Sequence, residues 1–259
     1  MTPRLSAVVV AQNEENNIGR CLRSLRFADE IVVVDAYSAD RTAEIARELG
    51  ARVVRRTWDG FASQKQFAID QARGDWILLV DADEEASEEL AREIRSLVAG
   101  DAAAAEAGYS VRRENFFLGA PMRHGPWRDD RNVRLFQKGK GSMSARPVHE
   151  GIDLAGGAGK LEAPLYHYTH QTLSESFRRL NRYTTLEAVE RARRRRIGLF
   201  DVAVPPLGVF LRYYILGGCW KAGSRGYLLS AITAMYRSVL YAKTYLLQTE
   251  SRGRNAPHP

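Results

Sequence analysis

Two aspartates separated by one alanine, Asp81-Ala82-Asp83, follow directly on the apolar run Trp76 to Val80. Carboxylates at that spacing offer hard oxygen donors. Magnesium and manganese need only one or two of them when a substrate's phosphates complete the shell. The chemistry within reach is the capture of a phosphorylated substrate through a divalent cation. A structural explanation competes with it: acidic residues after a strand also favour the positive end of a following helix, and Glu84, Glu85, Glu88 and Glu89 suit that place.

Such a pair must be delivered by a particular kind of element. An unbroken apolar run behind Gly74 predicts a strand in the middle of a parallel sheet, and open α/β sheets bind ligands outside the carboxyl ends of their strands. The preceding chain supplies that sheet. Leu5 to Ala11 reads as a strand, with Asn13 capping a helix that carries Ile18, Leu22 and Leu25. Glu30 to Asp35 is a second strand; Ser38 and Asp40 can cap the next helix, which Gly50 stops. Ala51 to Arg55 is a third strand, and Ser63 to Arg73 a helix ended by Gly74. This alternation predicts a mostly parallel, doubly covered sheet with right-handed crossovers.

After the aspartates, Leu90, Ile94 and Leu97 mark a helix closed by Gly100, and the regular alternation ends. Tyr109 to Arg113 and Asn132 to Gln137 are strand-like, separated by a loop, Gly119 to Arg131, whose His124, Trp127 and Asp130 favour a functional role. The Gly156 to Lys160 stretch (GGAGK) is not a phosphate loop, because Leu161 stands where Ser or Thr is needed, and no dinucleotide glycine fingerprint follows the first strand.

The charge is uneven. Residues 1–159 hold 22 Lys/Arg and 25 Asp/Glu, whereas residues 160–259 hold 16 and 6, a net +10 that calls for an anionic partner. A helix from Ser174 leads into Arg191 to Arg196, which reads as either a solvated face or a binding patch. Ile197 to Trp220 and Tyr227 to Leu247 are apolar but interrupted, the first by Asp201, Pro205, Pro206 and Arg212, the second by Arg237 and Lys243, so neither is expected to span a membrane. In the second stretch Leu228, Ile232, Met235, Val239 and Leu246 form one stripe, with Tyr241 and Thr244 off it. Such a stripe suits core packing or, beside a polybasic run, a helix lying in the membrane interface. Two cysteines far apart, Cys21 and Cys219, and no leader-like N-terminus fit a reducing cytoplasm.

The ordered set VVVAQNEENNIGRCLRSL, IVVVDAYSADRT, QKQFAIDQARGDWILLVDADE, NVRLFQ and RPVHEG resembles the family 2 glycosyltransferases of the GT-A fold, and within them the bacterial lipopolysaccharide core β-glucosyltransferase branch. The resemblance implies an α/β catalytic domain over residues 1–170 and a helical basic extension over 171–250; the composition of the tail, 251–259, predicts disorder. It implies inverting transfer of a sugar, glucose from UDP-glucose, to the lipopolysaccharide inner core, with Mg2+ or Mn2+. By similarity Glu14 and Asp35 contact the nucleoside, Lys65 faces the nucleotide, Asp81 lies near the ribose and Asp83 holds the metal, with His149 completing its shell or orienting the acceptor. Glu150 and Asp130 are the candidate bases, Glu150 preferred; His167 and His170 are left open. Many relatives carry two adjacent aspartates after the second strand, whereas here Ala36 follows Asp35. The implied partners are a nucleotide-diphosphate sugar, a lipid-linked saccharide acceptor and an anionic membrane surface, with the enzyme cytoplasmic and peripheral on the inner face of the membrane. Transfer to polyprenyl phosphate is the alternative within the family. A nucleotidyltransferase is disfavoured by the NEENN turn, and RNA binding is the alternative outside enzymes, disfavoured because no RNA motif accompanies the basic half.

Overall fold

The computed structural model describes residues 4–100, 106–144 and 151–254, with side chains through residue 250 except that of His170. In chain order the elements are β1 (Leu5–Ala11), α1 (Ile18–Ser24), β2 (Glu30–Asp35), α2 (Thr42–Glu48), β3 (Arg52–Arg55), α3 (Phe61–Gln71), β4 (Trp76–Asp81), β5 (Glu84–Ala86), α4 (Glu88–Val98), β6 (Gly108–Phe117), β7 (Ala120–Pro121), β8 (Arg131–Gln137), β9 (Gly141–Met143), β10 (Ile152–Leu154), β11 (Ala158–His170), α5 (Leu173–Arg194), α6 (Leu199–Leu211) and α7 (Gly223–Arg254). The chain forms two compact units, Met1–Glu114 with Asp129–His167, and Asn115–Arg128 with Tyr168–Pro259.

The first unit is built on a mixed sheet in the order β3-β2-β1-β4-β8-β6-β11-β5. The first four strands are parallel, as the alternation predicts, with Val8 opposite both Val32 and Leu79. Beyond β4 the sheet turns antiparallel, with Leu78 opposite Leu135. Two hydrophobic clusters cover the two faces: Trp76, Leu78 and Val80 enter one, Ile77 and Leu79 the other. A strand buried on both sides cannot alternate polar with apolar, which is why this segment is continuous in the sequence. Each of these side chains contributes about 1.5–3 kcal/mol by leaving water.

Local chemistry departs from expectation at two turns. Asn13 is not a helix cap; it adopts positive φ (57°), and its side-chain oxygen accepts from Ala39 N at 2.8 Å, tying the β1 turn to the β2 turn. Helix α3 ends at Gln71, two residues short of the expected end. Gly74 has a different task, since a Cβ there would lie 2.6 Å from the Arg4 carbonyl oxygen: the chain passes too close to β1 for any side chain. The Gly156–Lys160 stretch enters β11, a strand rather than a phosphate cradle.

The second unit is helical; it buries small and hydroxyl side chains together with apolar ones and leaves several large apolar side chains exposed. Along α5 the buried positions are Ser176, Leu180, Thr184 and Ala188, while Phe177, Leu186 and Val189 are exposed. Along α7 the expected stripe is not the buried face: Met235 and Leu246 are exposed, whereas Ser230, Leu240, Tyr241 and Thr244 are buried. The hydroxyls are satisfied within the helices, Ser230 donating to Gly226 O (2.8 Å) and Thr244 to Leu240 O (2.7 Å), so small residues can form the seam at little polar cost. Lys243 Nζ locks α7 to α5, donating to Asn181 Oδ1 (2.7 Å) and Thr185 Oγ1 (2.7 Å).

Within residues 197–220, expected to fall short of a span, one run meets the length and composition of one. The helical stretch Leu199–Leu216 is long and apolar enough to cross a membrane by length and composition, with mean hydropathy 1.4 and 6% of it buried. Asp201 does not interrupt it, because it sits in the first turn and accepts from Gly198 N at 3.0 Å, where an acid is stabilising. The helix runs through Pro205 and Pro206.

Candidate active site

Asp81 is the last residue of β4, and Ala82-Asp83 form the turn into β5. Residues from three other elements converge on that turn. Lys65, on α3, places Nζ 2.8 Å from Asp81 Oδ1. Arg134, on β8, donates from one nitrogen, Nη2, to Asp81 Oδ2 (2.8 Å) and to Glu84 Oε1 (2.6 Å). Glu84 is fully buried, and its other oxygen accepts from Asp81 N at 2.9 Å. Glu84 therefore serves the turn and not the following helix; Ser87 caps α4, and Glu88 and Glu89 occupy its first turn.

The electrostatics follow from burial opposed by charge. Burial pushes the Asp81 carboxyl up, but the Arg134 and Lys65 charges and their hydrogen bonds outweigh it and hold the group well below the usual carboxylate range. For Arg134, burial works against the cation, yet Asp81 and Glu84 raise its pKa above the ordinary guanidinium value. Cys21 lies beneath the turn, its Sγ 3.6 Å from Asp81 O. Burial, reinforced by the Glu84, Asp83 and Asp81 charges, pushes its thiol well up, which favours the protonated form over the thiolate.

At the neighbouring strand ends, Asp35 closes β2 with no exposure; both of its oxygens accept from Ser38 N at 3.3 Å, and Arg55 Nε stands 3.7 Å away. Glu14 follows β1, its Oε2 accepting from Asn17 Nδ2 at 2.8 Å while its N donates to Thr42 Oγ1. Glu14, Asp35, Asp81 and Asp83 thus stand at the carboxyl ends of β1, β2 and β4, three adjacent strands.

Asp83 is nearly buried and faces His167 of β11, Nε2 to Oδ1 3.6 Å. The pairing of β11 with β5, which sets His167 opposite Glu84, brings that histidine to the turn from far along the chain. No group of three or more His, Cys, Asp or Glu side chains among the described residues is arranged to hold a metal ion. The donor set still fits one held jointly with a substrate: Asp83 and His167 offer an oxygen and a nitrogen, and a magnesium-type ion completes its shell from phosphates and water. Asp130 is engaged by Arg113, which donates to its Oδ2 from Nε (2.9 Å) and Nη2 (2.6 Å) and also reaches Glu84 (3.4 Å). Trp127, on the long loop, packs against Phe117 in the second unit. Glu150 and His149 lie outside the described residues.

Sequence reasoning passed over Arg134 and Arg113, and gave Glu84 to the following helix. The signal for Arg134 was present: a charge inside the otherwise apolar strand NVRLFQ must have a partner when buried.

Residues 6–152 match the family model described as Glycosyl transferase family 2. The chain is 34% identical over 257 residues to the lipopolysaccharide core biosynthesis glycosyltransferase LpsC of Rhizobium meliloti (strain 1021), covering 95% of this chain and 94% of that one. It is 27% identical to an uncharacterized glycosyltransferase, RT0209, of Rickettsia typhi, covering 96% and 89%. Among solved structures it is similar to the mannosyltransferase PcManGT of Pyrobaculum calidifontis in complex with GDP-Man and Mn2+, at 16% identity and a TM-score of 0.51 over 98% and 88% of the two chains, a likeness of fold.

Proposed function

The chain belongs to the family 2 glycosyltransferases and has their GT-A fold, and from that premise we propose that it transfers a sugar, glucose from UDP-glucose, with inversion, to a saccharide of the lipopolysaccharide core. One observation carries this reading: the Asp-Ala-Asp turn stands at the carboxyl end of β4 beside Asp35 and Glu14, with Lys65 on its Asp81. The similarity to LpsC along nearly the whole chain supports the core saccharide as acceptor class.

In this reading Asp35 and Glu14 bind the nucleoside and Asp81, with Lys65, the ribose and diphosphate. Asp83 holds Mg2+ or Mn2+, with His167 or His149 as a further ligand. The bound ion supplies Lewis-acid stabilisation of the diphosphate leaving group. Inversion requires a base on the opposite side of the sugar carbon, to take the acceptor hydroxyl's proton. Arg113 and Asn132 already engage Asp130, which favours Glu150 as that base.

The acceptor is lipid-linked, and the second unit suits a lipid surface on the cytoplasmic face of the membrane. Helices that bury Ser176, Thr184, Ala188, Ser230 and Thr244 along with Leu180 and Leu240, and expose Phe177, Leu186, Phe200, Leu207 and Leu216, suit a lipid surface, where small residues let helices approach closely. The exposed arginines between α5 and α6 suit anionic headgroups.

The test is a screen of the purified chain against UDP- and GDP-sugars with Mn2+, with Mg2+ and with EDTA. Metal-dependent release of nucleoside diphosphate from UDP-glucose is the expected result. Turnover of another donor would correct the sugar, and turnover of none, with or without core saccharide acceptor, would overturn the reading.

A further inference from the structure

Four carboxylates, of Asp81, Asp83, Glu84 and Asp130, gather in the first unit with three cations, Lys65, Arg113 and Arg134. Arg134 is the hub. Its side chain is 6% exposed, one nitrogen bridges Asp81 and Glu84, and its buried Nε has no hydrogen-bond partner among the described residues. A buried donor left unsatisfied destabilises a fold, and buried ion pairs are often no better for stability than apolar residues of equal volume. Packing does not explain an arginine here; its charge does. By taking one oxygen from each of Asp81 and Glu84, while Lys65 takes the other oxygen of Asp81 and the Asp81 amide the other of Glu84, the cluster occupies two of the three carboxylates in Asp81-Ala82-Asp83-Glu84 that could otherwise bind a metal ion.

We propose that Arg134 makes binding of the divalent ion conditional on the donor's diphosphate. With Asp81 and Glu84 neutralised, the turn is too weakly negative and too poor in oxygen ligands to hold the ion by Asp83 and His167 alone; the diphosphate brings the missing ligands and charge. Arg134 is a positioning residue, acting through Asp81 and Glu84 on the ion. The inference rests on the nucleotide-sugar reading above and adds to it the coupling between the two ligands.

The test uses Mn2+ alone, titrated into the full chain, with free ion measured by electron paramagnetic resonance. Wild type should bind weakly. Arg134→Gln frees a carboxylate oxygen on each side and removes one positive charge within a few ångströms of the site, so it should bind Mn2+ about tenfold tighter or more. A merely structural residue would give the opposite, looser binding. Because Arg134→Gln strands buried charges, the same comparison is made where Glu84 is neutral: Arg134→Met/Glu84→Gln should bind Mn2+ about tenfold tighter than Glu84→Gln, since Asp81 is again released. Adding UDP should tighten Mn2+ binding strongly in wild type and much less in the Arg134 variants. Equal or weaker Mn2+ binding in a variant with native circular dichroism overturns the proposal, and the double variant decides if Arg134→Gln does not fold. The Mn2+ comparison needs no sugar donor, so failure of the donor screen and failure of this proposal are separate outcomes.

Discussion

At the scale of single residues, the site divides its carboxylates by environment. Asp83 is the one assigned to the ion, so Asp83→Asn should lower metal-dependent turnover by at least about 100-fold, in the range seen for loss of a group that stabilises the leaving charge, while leaving the thermal transition close to wild type. Near-wild-type activity in Mn2+ would refute the assignment. Asp81 is different because Lys65 and the buried Arg134 depend on it: Asp81→Asn should cost about 2–3 kcal/mol, near the low end for breaking a buried pair. The pH dependence follows from the depressed carboxyl. Its stabilisation is fully present above the ordinary aspartate value of about 4 and is lost as pH falls towards the lower folded-state value, so the stability gap between wild type and Asp81→Asn should close in acid. Urea unfolding between pH 7 and pH 2.5 reads this directly; a gap that stays constant would remove the ion pair as its cause. For the base, Glu150→Gln should abolish transfer with nucleotide-sugar affinity little changed, and Asp130→Asn should lose less, measured at saturating donor and acceptor. The reverse ranking would move the base to Asp130.

At the scale of elements, α6 and the arginines before it carry the membrane prediction. The run Arg191 to Arg196 is not a uniform solvated face: Arg191 lies over the Tyr241 ring at 5.6 Å, Arg194 pairs with Glu190 at 2.8 Å and Arg195 with Asp201 at 3.0 Å. Phe200 and Leu207, by contrast, are largely exposed on a helix of spanning length and composition. Replacing both by Ser should weaken binding to lipid vesicles by about tenfold or more, given ~1.5–3 kcal/mol per buried large apolar side chain, and leave donor hydrolysis intact. Flotation assays check it; unchanged flotation with the double variant would mean that another surface, or a second copy of the chain, covers this face.

At the scale of the whole molecule, the charge asymmetry predicts a salt effect. With net +10 over residues 160–259, binding to vesicles containing anionic lipid should fall as NaCl rises from 50 to 500 mM, while neutral vesicles should show a residual, salt-insensitive component from the apolar helices. Salt-independent binding to both would assign the attachment to the apolar face alone. The parallel half of the sheet and the place of Asp81 and Asp83 were legible in the sequence, because a strand buried on both faces must be continuously apolar and must end where charge begins. So was the family, through the order of its segments. The antiparallel half was less legible, since β8, β6 and β11 pair across long separations and each is short on local signal. Helix α7 was read to the wrong face because its buried positions mix Leu229, Leu240 and Tyr241 with Ser230 and Thr244, so the face that packs carries no continuous apolar stripe. The partners of the Asp-Ala-Asp turn, Lys65, Arg134, Glu84 and His167, were settled by tertiary structure alone. Spacing along the chain says which residues can ionise, but which cation neutralises which carboxylate depends on distances of a few ångströms between strands far apart in sequence.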